Sequence, residues 1–143
     1  MIYQAKEKDL VSLAALGVQL WPVHGAAELV EEFARLMQQG TAFFVAADPS
    51  PIGFAQVGLR HDYVEGTQSS PVGYLEGVFV KEQCRKQGVG RALVAACEAW
   101  AKAQGCTQFA SDCQLCNSES LAFHLSLGFA EANRIICFSK DIR

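Results

Sequence analysis

The chain has 143 residues, 50% of them hydrophobic and 19% charged, with a formal net charge of −3. That length suits a single domain, 1–143, with a core of its own, and the apolar content excludes a disordered chain. The mildly acidic balance, without a Lys/Arg cluster interleaved with aromatics, points away from nucleic acid, and no apolar run approaches membrane-spanning length, so no membrane partner is expected.

Met1–Asp9 lacks the basic-then-apolar order of an export signal, which places the chain in the cytoplasm as an expectation. Residues 2–6 read as a first strand. Helical spacing follows through Leu10, Leu13, Ala14, Leu16 and Leu20, until Trp21-Pro22-Val23-His24-Gly25 breaks it. A second helix is predicted from Ala27 to Gln39, with Leu29, Val30, Phe33, Leu36 and Met37 buried and Gly40 closing it. Thr41–Ala47 and Ile52–Arg60 form a hairpin around the turn residues 48–51, and residues 61–71 are a polar loop.

Tyr74–Val80, a helix over 88–104 and Thr107–Asp112 then make a strand, helix, strand unit. A short helix over 117–127 ends at Gly128, and residues 129–140 are predicted to supply the last one or two strands. The fold class is α/β (α+β), a mixed central sheet flanked by helices, antiparallel early and parallel in the middle.

Six cysteines stand at 84, 97, 106, 113, 116 and 137. Without an export signal they read as reduced thiols packed as small apolar residues. Cys113-x-x-Cys116 has redox or half-metal-site spacing but no second pair and no suitably spaced His, so no metal is expected.

The most informative stretch is the turn between the central strand and the long helix, Arg85-Lys86-Gln87-Gly88-Val89-Gly90-Arg91. Glycines let the backbone curl with its N–H groups converging, and the helix adds the partial positive charge of its unpaired first amides. Such a nest holds phosphate oxygens without side chains. No Gly-Lys-Ser/Thr follows, and the Gly-x-Gly-x-x-Gly dinucleotide turn is missing too. Helix-entry geometry alone is the bland alternative.

Arg85-x-x-Gly88-x-Gly90 after an apolar strand resembles the acyl-coenzyme A loop of the GCN5-related N-acetyltransferases, and the helix opening with Asn117 and ending Leu127-Gly128-Phe129 resembles that superfamily's second signature. Further stretches resemble the small chromosomal aminoglycoside 6′-N-acetyltransferases: Gln19-Leu20-Trp21-Pro22-x-His24, Leu59-Arg60-His61-Asp62-Tyr63-Val64, Leu75-Glu76-Gly77 and Ala110-Ser111-Asp112. The resemblance implies transfer of an acetyl group from acetyl-CoA, as co-substrate, to the 6′-amine of an aminoglycoside. It also implies a substrate-contacting set of Trp21, His24, Tyr63, Glu76 and Asp112, and a homodimer, with which the apolar Ile135-Ile136-Cys137-Phe138 is consistent.

The residues fit that chemistry. A compact polycation rich in hydroxyls needs carboxylates for its ammonium groups and an aromatic wall for its sugar faces. Backbone amides of 87–91 are expected to hold the pyrophosphate, and the main chain around Val78, Phe79 and Val80 to pair with the pantetheine arm as an added strand does. Asn117 is expected to contact the coenzyme, by resemblance, or to cap its helix. Direct attack by the amine requires a proton acceptor, Glu76 or Asp112 or water, and a proton donor for the thiolate. Many relatives place a tyrosine for that donor where this chain has His124, an acid or a packing residue. The subgroup often has a glutamate at the position of Asn133; here Glu131, two residues earlier, would share its face on an extended segment. An acetyltransferase for another amine, a non-catalytic acetyl-CoA sensor and a Cys113/Cys116 thiol protein are the competing readings.

Overall fold

A computed structural model describes residues 1–143. Its elements run β1 (Ile2–Gln4), α1 (Leu10–Leu20), α2 (Ala26–Gln38), β2 (Ala42–Ala47), β3 (Pro51–Arg60), β4 (Val72–Val80), α3 (Val89–Ala103), β5 (Phe109–Ser111) and α4 (Ser118–Ser126). The five strands lie side by side in chain order. β1 to β4 pair antiparallel and β4 with β5 parallel, because β5 is reached by a crossover through α3. The mixed α/β sheet expected from the sequence is therefore the one observed.

Alternation along the strands divides the core into two layers. On one face Phe43, Val45, Phe54 and Phe79 pack with Leu13 and Leu16 of α1 and Leu29 and Phe33 of α2. On the other, Ala55, Val57 and Leu75 meet Leu93, Val94 and Cys97 of α3, with Phe123, Leu127 and Phe129 packed against them. The helical spacing of apolar residues read from the sequence falls on these buried faces.

One irregularity positions the site. Gln56 pairs with Gly77 but Val57 pairs with Leu75, so Glu76 is an extra residue on β4. A bulge of this kind puts two consecutive residues on one face. Leu75 and Val78 belong to the α3 layer. Gly77 lies under Trp21 at the end of α1, and Phe79 joins the α1/α2 layer. Strict alternation would have buried the Glu76 carboxylate among the α3 residues, whereas the bulge turns it outward. The parallel pairing also stops there: it covers Gly73 to Leu75 on β4, leaving Glu76–Val80 with β3 as their only neighbour.

The segment after α4 differs from the sequence expectation. Residues 129–143 contain no strand, and the sheet ends at β5. An apolar run becomes a strand only where a neighbour completes its ladder, and this tail has none within the chain. Its side chains stand out instead, Ile136 80% and Phe138 90% exposed.

Candidate active site

The glycine turn has the form of an anion nest. Gly88 sits at φ +85° and Lys86 at φ +61°, so the chain curls through the left-handed region immediately before α3. The amides of Lys86, Gln87 and Gly88 find no main-chain acceptor, and those of Val89, Gly90 and Arg91 open the helix, where no preceding turn can accept them. Gly90 has a second reason to be glycine: a Cβ there would come within 3.1 Å of the Phe123 ring, so its size lets α4 approach α3. Arg85 faces away from this nest. Its Nε donates to the Val80 carbonyl at 2.7 Å, which occupies one main-chain acceptor expected to pair with the pantetheine arm, and its guanidinium lies near the Phe79 ring. Arg91 donates to the Ser126 carbonyl at 2.9 Å and holds the end of α4.

Beside the bulge a cleft of about 210 Å³ opens between α2, the α1–α2 loop and the sheet, lined by Trp21, His24, Glu32, Gln56 and Glu76 over an apolar base of Leu29, Phe33 and Leu36. Trp21 both packs on the core and faces the cleft. Its ring meets Phe33 and Phe54 edge-on at 6.3 and 6.0 Å, and it still forms one wall of the cleft. It rests on Gly77, where a Cβ would stand 2.7 Å from its ring. His24 is held by Glu28, Nδ1 to Oε1 at 2.7 Å.

The two central carboxylates are tied by a chain of contacts that sequence reasoning missed. Arg60 donates through Nη2 to both Glu76 oxygens at 3.0 Å, and its guanidinium lies 3.5 Å above the Tyr74 ring. The Tyr74 hydroxyl donates to Asp112 Oδ2. Burial pushes the Tyr74 phenol well above its ordinary value; the hydrogen bond to Asp112 and that residue's charge add to the rise, while Arg60 opposes it. Tyr74 therefore stays a proton donor toward Asp112 and does not compete as a base.

Other expected substrate contacts lie elsewhere in this chain. Tyr63 is 76% exposed and is not in the cleft wall. Glu131 pairs with Arg134, Asn133 donates to Glu65 at 2.9 Å, and neither lines the cleft.

His124 is fixed at both nitrogens. Nδ1 donates a hydrogen bond to the Ser120 carbonyl at 2.7 Å, and Nε2 lies 2.8 Å from Ser111 Oγ. Ser111 is the last β5 residue paired with β4 and also reaches the Leu75 carbonyl at 3.2 Å. With a neutral ring the hydroxyl donates to Nε2; with a charged ring Nε2 donates and the hydroxyl turns to Leu75. Asn117 caps α4, its Oδ1 accepting from the Ser120 amide at 3.1 Å.

All six cysteines are free thiols. Burial pushes Cys97 up to about 12 and raises Cys106, as inert packing thiols require. Cys113, Cys116 and Cys137 are exposed instead, so the apolar packing expected of them does not hold. No cluster of His, Cys, Asp or Glu has the make-up of a metal site, and no helix is long and apolar enough to cross a membrane.

Residues 9–129 match the family model for the acetyltransferase (GNAT) family. The chain is 44% identical over 140 residues to an aminoglycoside N(6′)-acetyltransferase type 1 of Stenotrophomonas maltophilia, covering 96% of this chain and 90% of that one. Among solved structures it resembles the aminoglycoside N-acetyltransferase AAC(6′)-Iy in complex with CoA, with TM-score 0.95, 38% identity and coverage of 99% and 95%. The structure of AAC(6′)-Iy with the bisubstrate analogue CoA-S-monomethyl-acetylneamine gives TM-score 0.94 at 38% identity, with coverage of 99% and 98%.

Two substitutions test this geometry. Gly77→Ala drives a methyl into the Trp21 ring, so it should lower stability by about 1–3 kcal/mol and raise the KM for the amine acceptor while sparing that for the acetyl donor, measured by thermal melting and steady-state kinetics. Gly88→Val places a branched side chain at positive φ, and it should instead weaken coenzyme binding by calorimetry while leaving the acceptor cleft intact.

Proposed function

The chain belongs to the GNAT acetyltransferase family, and from that premise we propose that it transfers the acetyl group of acetyl-CoA to the 6′-amine of an aminoglycoside antibiotic, which confers resistance. One observation carries the choice of acceptor: the sheet splits at Glu76, and beside that split opens an aromatic cleft whose polar walls are two carboxylates, an amide and the His24 imidazole. A polycationic amino sugar matches those walls. A peptide amine would call for an open groove and would not need Glu32 and Glu76 in one small cleft.

Bound acetyl-CoA supplies a thioester carbonyl for the amine to attack. The free amides of residues 86–91 suit its pyrophosphate, and the unpaired edge of Glu76–Val80 suits its extended arm. Glu76 anchors the ammonium. Because Arg60 already shares both of its oxygens, that grip is moderated, which matters since a carboxylate that holds an ammonium also opposes its deprotonation. Asp112 accepts from Tyr74 through Oδ2, and its other oxygen remains free for the amine's proton, directly or through water. His124 supplies the proton for the departing sulfur through Ser111 at the split: charged Nε2 passes its proton to Ser111 Oγ as that hydroxyl gives its own hydrogen to the thiolate, and this relay stands where many relatives have a tyrosine.

A thiol-release assay with acetyl-CoA tests the assignment. Turnover is expected with kanamycin, tobramycin or amikacin and not with spermidine or a peptide amine; turnover with the last two alone refutes it. Asp112→Asn should lower kcat/KM by roughly 10²-fold or more. His124→Gln should lower kcat and remove the alkaline fall that a required acid imposes, and an unchanged rate across pH would end the acid assignment.

The working unit is a homodimer. Ile135, Ile136, Phe138 and Ile142 are exposed on the partnerless tail, and β5 leaves one side of the sheet unpaired. A second copy supplies the missing neighbour and covers those residues, in the manner of an added strand. Combined Ile136→Asp and Phe138→Asp should convert a dimer to a monomer in sedimentation velocity; a wild-type monomer at micromolar concentration would refute the pairing.

A further inference from the structure

Gln56 is a polar side chain set in an apolar strand. It is 9% exposed, and its neighbours Ala55 and Val57 are fully buried. Its amide makes no hydrogen bond to any protein group, although no fully buried side-chain nitrogen or oxygen in this protein lacks a partner. The amide atoms therefore reach the opening beside them, the cleft that Gln56 lines with Trp21, His24, Glu32 and Glu76.

The bulge explains why nothing in the protein meets that amide. Its partner across the ladder is Gly77, which has no side chain, and the space above Gly77 is taken by the Trp21 ring. Glu76 comes next on β4. The amide thus stands in register beside the carboxylate assigned to the reacting amine. A carboxylate only accepts and suits an ammonium, whereas a carboxamide donates and accepts, as a sugar hydroxyl does. With Glu76 and Glu32 present for the charged groups, the remaining polar function of an amino sugar that this amide can read is a hydroxyl.

Resting on the aminoglycoside reading above, we propose that Gln56 is a specificity-determining residue whose amide pairs with a hydroxyl of the sugar ring that bears the reacting amine. A site built to bond a hydroxyl discriminates against an analogue without it, because the amide is then left unpaired in a water-poor place. A purely structural Gln56 would make no such distinction.

Kanamycin B and its 3′,4′-dideoxy analogue carry the same 6′-amine and differ in the hydroxyls of that ring. For the wild type, kcat/KM should favour the hydroxylated acceptor by about tenfold, the size of one well-made hydrogen bond to a buried group. In Gln56→Met, similar in volume but without donor or acceptor, the ratio should collapse toward one. The affinity ratio measured by calorimetry in the presence of unacetylated coenzyme A should collapse with it. Gln56→Leu is the second variant should Gln56→Met melt too low to assay. A ratio equal in wild type and variant, with both acceptors acetylated, overturns the role of Gln56 alone. Failure of the wild type to acetylate either compound overturns this role together with the antibiotic assignment.

Discussion

The extra residue in β4 is the constraint on which the site depends. Counted back from Val78 in strict alternation, Glu76 would fall on the α3 layer beside Val78 and Leu93, where an unpaired carboxylate is costly. With the extra residue, three features arise together at one point of the sheet. The carboxylate faces the cleft, Gly77 comes to lie beneath Trp21, and the parallel ladder to β5 stops one residue earlier at Leu75. The first gives the cleft a carboxylate, the second gives it an aromatic wall, and the third opens an unpaired strand edge leading toward the glycine turn. In the proposed mechanism this single insertion in register aligns donor and acceptor sites, the condition for direct transfer between two bound substrates.

Around that point the charges are arranged so that no carboxylate is isolated. Arg60 spans Glu76 and stacks over Tyr74, whose hydroxyl fixes Asp112. The arrangement joins β3, β4 and the end of β5 through side chains, at the end of the sheet where the parallel backbone pairing is short. It also orients both carboxylates before any substrate arrives, so that less ordering remains when the acceptor binds. Exposed ion pairs contribute little to stability. The bidentate geometry of Arg60 with Glu76 has its consequence in direction and charge balance at the site.

Legibility in the sequence followed the range of the interactions involved. The nest at 85–91 was legible because Gly88, the helix start and the preceding apolar strand are consecutive, and the backbone there does what those residues dictate locally. Helix faces were legible for the same reason, and so was the Asn117 cap. Arg60 as partner of Glu76 was not, because that pairing depends on the β3–β4 register after the bulge, and a bulge leaves no mark in an apolar strand beyond one carboxylate out of pattern. Glu76 was that mark. Gln56 gave a similar signal, a polar residue between Ala55 and Val57, whose meaning appears only once Gly77 is known to lie opposite. The tail was misread as strand because its apolar composition is that of a strand, while a ladder requires a neighbour that composition cannot supply.

The histidine at 124 is held by a contact set that a phenol could not make. A phenol has one proton on one atom and needs only to point at its target. An imidazole has two nitrogens, and here both are committed, one to the Ser120 carbonyl and the other to the Ser111 hydroxyl. Ser111 has one hydrogen and two places to put it, His124 or the Leu75 carbonyl. The protonation state of the ring is thereby coupled to the direction of a hydroxyl at the sheet split: a neutral ring draws the hydroxyl hydrogen to Nε2, and a charged ring turns it to Leu75. A change of charge on the ring needs no movement of α4, only rotation of a hydroxyl, and this suits a site whose strands and helices are otherwise fixed by the two packed layers.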